Sequence, residues 1–244
     1  MVQIRSAVFL ALYTLSGIWF GTTALLLQRN SFATRFAYLR NWNRFVLFLS
    51  RTVVGIHIDV RGLDNIPNEP CVVMSKHQSQ WETIYLQTIF SPLCTILKQE
   101  LLSIPFYGWG LKQMEPIAID RGAPRQALKQ VQQLGRQRLQ QGRSILVFPE
   151  GTRVAVGETR RYAKSGAQLA VGANAPILPI AHNAGLVWPG GFKKYAGTVS
   201  VVIGKPLCPG DRSPAELTAE VEQWVEQTSN ALLDPGNSDT PAQE

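Results

Sequence analysis

Cys71-Val72-Val73-Met74-Ser75-Lys76-His77-Gln78-Ser79-Gln80-Trp81-Glu82-Thr83 is the stretch whose reading decides the fold. Its first four residues are apolar and strand-like, and the segment then turns polar within two residues. A histidine just past the carboxyl end of a strand stands where open α/β sheets place their ligands. Glu82 follows His77 by five residues, and on one helix five residues rotate by about 140°, so the two would not share a face. They meet if His77 ends the strand and Glu82 lies in the first turn of a following helix. Glu82 would then hold the imidazole in one tautomer and leave its other nitrogen free to act as a base. A second reading stands beside the first. Ser79-x-x-Glu82 is also a capping box, which explains Glu82 by helix initiation alone and leaves His77 in a loop.

Outward from this stretch the same alternation repeats. Apolar, β-branched runs occur at Ile56–Val60, Cys94–Leu97, Ile117–Ile119, Ile145–Phe148, Ile177–Ile180 and Val199–Ile203. Between them, Ala127, Leu128, Val131, Leu134 and Leu139 recur at helical spacing, with Gly142 as a stop, and Ser213 is a candidate N-cap for a helix from Pro214 to Leu233. Strand–helix alternation predicts an α/β domain over residues 52–234, with a central, mostly parallel sheet flanked by helices. The polar tail, residues 235–244, reads as disordered.

The amino-terminal end is different in kind. Ser6 to Leu27 is a run of 22 residues without a charge, flanked by Arg5 and Arg29, and about 20 such residues suffice to cross a bilayer. A cleaved signal peptide would have a shorter apolar core and an A-x-A-like site, and none follows. Phe32 to Leu49 interleaves large apolar residues with Arg35, Arg40 and Arg44, the pattern of a helix lying in a membrane interface. Residues 1–51 therefore read as a membrane anchor, an apolar helix followed by a basic amphipathic one. The net charge of +7 belongs largely to this region: six arginines precede the first acidic residue, Asp59. That placement suits anionic lipid headgroups rather than nucleic acid. The arginine excess puts the body on the cytoplasmic side, whether the first helix spans or dips into one leaflet. Cys71, Cys94 and Cys208 are odd in number and scattered, so neither a disulfide framework nor a metal site is expected.

A second chemistry-bearing block is Phe148-Pro149-Glu150-Gly151-Thr152-Arg153. Gly151 permits a sharp turn, Thr152 offers a hydroxyl, and Arg153 presents a planar fork suited to phosphate. Cys94 reads as core rather than nucleophile, Ser79 lacks a G-x-S-x-G elbow, and His182, just past a strand, is a further candidate for a pocket wall. Taken together, the His77 block and the Phe-Pro-Glu-Gly-Thr-Arg block resemble the 1-acylglycerol-3-phosphate acyltransferase family, whose members carry His-x4-Asp and Phe-Pro-Glu-Gly-Thr-Arg in this order. Lys98-Gln99-Glu100-Leu101 through Asp120-Arg121, and Ala175-Pro176-Ile177-Leu178-Pro179, resemble two further family blocks. The likeness covers roughly residues 50 to 205; one departure is Glu82 where the family has aspartate.

The resemblance implies acyl transfer from a thioester, on acyl carrier protein or coenzyme A, to the sn-2 hydroxyl of a lysophosphatidic acid, without a covalent enzyme intermediate. His77 would be the base and Glu82 its orienting partner. Arg153, with Lys98 and Arg121, would hold the acceptor's phosphate, and Glu150, Gly151 and Thr152 would shape that pocket. An activated thioester needs a base and positioning more than a metal or cofactor. The residues by themselves also fit transfer to another acceptor, such as glycerol 3-phosphate or another lysolipid, or to water.

Overall fold

A computed structural model describes residues 1–233; the carboxyl-terminal tail expected at 235–244 lies outside them. Seven strands form one sheet: β1 (Ile56–Arg61), β2 (Val72–Ser75), β3 (Leu93–Lys98), β4 (Ile117–Ile119), β5 (Ser144–Val147), β6 (Ile177–His182) and β7 (Gly197–Ile203). Each expected strand is present, with ends moved by a few residues. Their order is β1-β7-β6-β2-β5-β3-β4. All neighbours run parallel except β6 and β7, which pair antiparallel through Ile180 and Ile203.

Seven α-helices surround the sheet: α1 (Val2–Thr23), α2 (Phe32–Leu49), α3 (Trp81–Ile89), α4 (Tyr107–Gln113), α5 (Pro124–Gln140), α6 (Ser165–Ala173) and α7 (Pro214–Ala231). The central strands are buried on both faces, as a sheet covered by helices on each side requires. Alternate side chains go to opposite layers. Val73, Leu146 and Leu178 pack towards Phe9, Phe36, Val46 and Trp81 of the first three helices. Val72, Met74, Ile145 and Ile177 pack towards Val131, Leu169, Val221 and Val225 of the last three. Each such burial stabilises the fold by about 1.5–3 kcal/mol relative to exposure. The expected cap of α7 is made: Ser213 and Glu216 form a reciprocal capping box.

Helices α1 and α2 are not detached from the body. Near its start, α1 is tied by Ser6, whose Oγ accepts from Lys194 N–H at 2.9 Å. Near its end, Gly21 lies so close to the Phe106 carbonyl that a Cβ there would collide with it. Its opposite face is bare: Ile4, Val8, Leu12, Leu15 and Trp19 are exposed, at helical spacing. One stripe of α1 thus packs on protein along the helix, and a second apolar stripe is exposed.

Candidate active site

Four segments converge at the carboxyl ends of adjacent parallel strands. His77 follows β2, Phe148–Arg153 follow β5, Lys98 ends β3 and Arg121 follows β4. This is where a parallel sheet leaves room for a ligand.

His77 and Glu82 meet. His77 Nδ1 lies 2.8 Å from Glu82 Oε1, across the turn between β2 and α3. The same oxygen accepts the backbone N–H groups of Gln78 at 3.0 Å and Ser79 at 2.8 Å. The pairing and capping readings therefore describe one atom: Glu82 orders the turn and holds the imidazole at once. The capping box itself is half made, because Ser79 Oγ donates to the Trp188 carbonyl at 2.6 Å and accepts from Trp81 N–H. Burial pushes the Glu82 carboxyl upward, but the His77 hydrogen bond, the nearby imidazoles and the Ser79 N–H outweigh it and hold it below the usual carboxylate range. An ionised carboxylate only accepts, so Nδ1 is the donor and Nε2 carries the lone pair. The His77 ring stacks on Phe148, with centroids 3.9 Å apart and planes 14° from parallel.

The loop after β5 grips the same residue from behind. Glu150 Oε1 accepts His77 N–H at 3.1 Å, and His77 carbonyl accepts Val154 N–H at 2.8 Å. Gly151, at φ 71°, makes the turn that a Cβ would strain. Beneath the loop Lys76, almost fully buried, donates to both oxygens of Glu226 at 2.7 Å, and Tyr162 also donates to Glu226. Sequence reading gave no signal for this network, since Glu226 looks like one more acidic residue on the surface of α7.

A cavity of about 960 Å³ opens beside His77, at the upper end of the roughly 300–1,000 Å³ typical of small-molecule sites. Its walls are mainly apolar and include Tyr13, Gly17 and Gly21 of α1, Trp42 of α2, Leu111 of α4 and Val131 of α5. Helices α1 and α2 thus contribute to the cavity wall, which nothing in their composition indicated. Lys98, Arg121, Gly151 and Arg153 line the cavity; Glu150 and Thr152 do not. Lys98 is half exposed and paired with Glu100 at 2.9 Å. His182 is not a wall: it is buried, donating from Nε2 to the Lys76 carbonyl at 2.8 Å and accepting Ala184 N–H at Nδ1. Burial also lowers its basicity. Cys94 is core, its thiol pushed by burial up to about 11, far from a thiolate nucleophile at neutral pH.

Fold and site together define an α/β protein whose histidine–glutamate pair opens onto a large apolar cavity edged with cations. The family model described as Acyltransferase matches residues 57–183. A 1-acyl-sn-glycerol-3-phosphate acyltransferase of Pseudomonas aeruginosa is 46% identical over 92% of this chain and 90% of its own. One of Saccharomyces cerevisiae is 27% identical over 82% of this chain and 69% of its own. The crystal structure of the 1-acyl-sn-glycerophosphate (LPA) acyltransferase of Thermotoga maritima superposes with a TM-score of 0.79 at 23% identity, covering 95% of this chain and 96% of that one. The chain belongs to the acyltransferase family.

Proposed function

We propose that this acyltransferase moves a fatty acyl group from an acyl thioester to the sn-2 hydroxyl of 1-acyl-sn-glycerol 3-phosphate, forming phosphatidic acid. The carrying observation is the His77–Glu82 pair at 2.8 Å on the edge of the apolar cavity; the activity named for the Pseudomonas aeruginosa and Saccharomyces cerevisiae relatives points the same way. His77 Nε2 takes the hydroxyl proton as the acceptor oxygen attacks the thioester carbonyl. Glu82 stabilises the imidazolium, and the proton then passes to the leaving thiolate as the carbon–sulfur bond breaks. No enzyme nucleophile is needed, and the acyl group never becomes bound to the protein. Arg153, Lys98 and Arg121 hold the acceptor's phosphate, Gly151 lets the backbone turn beside it, and Glu150 supports the loop from behind. A panel of lysolipid acceptors, glycerol 3-phosphate and water, with labelled acyl-coenzyme A and acyl carrier protein, tests this. Transfer is expected chiefly to the lysophosphatidic acid; thioester loss that needs no acceptor would make the enzyme a hydrolase instead.

The bare stripe of α1 supports membrane attachment of residues 1–51, with α1 lying along one leaflet while its other stripe stays on the body. The body then faces the cytoplasm. High salt should leave the protein on membranes, because apolar burial is little screened. A protease site placed before Met1 should be cut from the same side as the body; protection there would mean a spanning helix.

A further inference from the structure

Helix α1 is docked on the segment that holds the catalytic turn, through contacts that touch neither the large cavity nor the bare stripe. Phe9, fully buried, meets the Trp188 ring edge-on with centroids 4.9 Å apart and planes at 88°. Ser6, also fully buried, exchanges two hydrogen bonds with the backbone of Lys194. The Trp188 carbonyl in turn accepts Ser79 Oγ at 2.6 Å, and Ser79 N–H donates to Glu82 Oε1 at 2.8 Å. Glu82 holds His77. Five residues therefore form an unbroken run of contacts from the lipid-facing helix to the imidazole: Phe9, Trp188, Ser79, Glu82 and His77.

The two ends of this run differ in what fixes them. Glu82 sits in a turn ordered by three donors on one oxygen. Phe9 sits on a helix whose other face is apolar and uncovered, so its docking is the part of the run most open to change. Interior packing is dense enough that a shift at one member is passed on rather than absorbed. We infer that Trp188 is a positioning residue for acyl transfer, and that the inner stripe of α1, through Trp188 and Ser79, sets the geometry of the His77–Glu82 pair. This rests on the acyl-transfer reading above. On this account α1 has two separable roles on two faces: the outer stripe attaches the enzyme and the inner stripe aligns its base.

The experiment sets the two faces against each other, using the full chain in detergent, a short-chain lysophosphatidic acid and a short-chain acyl-coenzyme A. Phe9→Ala and Trp188→Ala should each lower kcat roughly tenfold or more with both KM values little changed, since misalignment of a base acts on the transition state. Both variants should still pellet with membranes. Trp188→Phe, which keeps a ring against Phe9, should restore most of kcat. Leu15→Ser with Trp19→Ser, on the outer stripe, should reduce pelleting and leave kcat on soluble substrates unchanged. A Phe9→Ala protein that melts normally and keeps wild-type kcat would overturn the inference, and so would an equal kcat loss from the outer-stripe pair. Where Phe9→Ala fails to fold, Ser6→Ala and Ser79→Ala carry the same expectation and the same refutation. Absence of acyl transfer by the wild-type chain would instead remove the functional reading itself.

Discussion

The segments that follow β2 and β5 each send one buried glutamate to the same histidine, and the two carboxyls are shifted in opposite directions. Glu82 reaches the imidazole, and one of its oxygens collects His77 Nδ1–H and two backbone N–H groups. Glu150 accepts the backbone N–H of His77, and Lys76 Nζ stands 3.9 Å away, turned to Glu226. Burial pushes both upward; it wins at Glu150, whose carboxyl is held above the usual range, and loses at Glu82. Both carboxyls are buried, so the difference lies in the hydrogen bonds and neighbouring charges around each, foremost the side-chain bond from His77 to Glu82. The first segment gathers donors around a carboxylate beside an imidazole. The second is built to hold backbone, and it turns its charge-bearing arginine, not its glutamate, to the cavity.

The largest effects should come from the first loop. His77→Ala should reduce kcat by roughly 10²–10⁴ while the protein stays folded. Glu82→Gln keeps an oxygen for the Gln78 and Ser79 N–H groups but cannot stabilise an imidazolium by charge. It should lose about 10² in kcat or more, and the double variant should be little worse than His77→Ala, because the pair acts as a unit. Steady-state kinetics with melting curves on the same samples decide this. A fully active Glu82→Gln enzyme would leave Glu82 as a helix-initiating residue alone and erase the contrast between the loops.

Next in size is Arg153→Lys in the second loop. Arg153 is exposed at the cavity edge, and lysine would keep its charge while losing the two-pronged phosphate contact proposed for it. The acceptor KM should rise about tenfold, with the donor KM and kcat much less affected. If instead kcat falls and the acceptor KM is unchanged, Arg153 serves the reacting centre and the division of labour between the loops is wrong.

The sheet was readable because doubly covered central strands such as β2 and β6 must be apolar, while β1 and β7 alternate as half-covered strands do. The His77–Glu82 meeting was readable because a strand–turn–helix fixes the offset of five residues. Three things were not. Lys76–Glu226 joins residues 150 positions apart, and local sequence carries no trace of such a pair. The inner wall of the cavity comes from α1, whose composition is apolar on every side, so nothing distinguished its protein stripe from its bare one. The near-neutral total of the body concealed a separation: α5 carries Arg125, Lys129, Arg136 and Arg138 with no acid, and α7 carries Glu216, Glu220, Glu222 and Glu226 with no base. Sums over a chain cannot report which face a charge occupies.

The smallest effects test the opposite shifts of the two carboxyls through the pH dependence of stability. For Glu82 the folded state holds its proton less tightly than the unfolded chain does. Its contribution is therefore present above the unfolded value of about 4.3 and is lost as pH falls through the lower, folded value. For Glu150 the folded state holds its proton more tightly, so the fold binds the extra proton and loses stability as pH rises from about 4.3 through the raised value. Glu150→Gln keeps an acceptor for His77 N–H and removes that loss. It should melt as the parent does near pH 4 and a few degrees higher at pH 7, with kcat within about threefold of the parent, since Glu150 touches the backbone of His77 rather than its ring. Glu82→Gln should do the reverse, matching the parent in acid and melting lower at neutral pH. Melting curves of the parent and both variants from pH 4 to 8 give the comparison directly. A Glu150→Gln protein destabilised at pH 7 would mean that Glu150 is an ionised partner of Lys76, and the two carboxyls would then be shifted in the same direction.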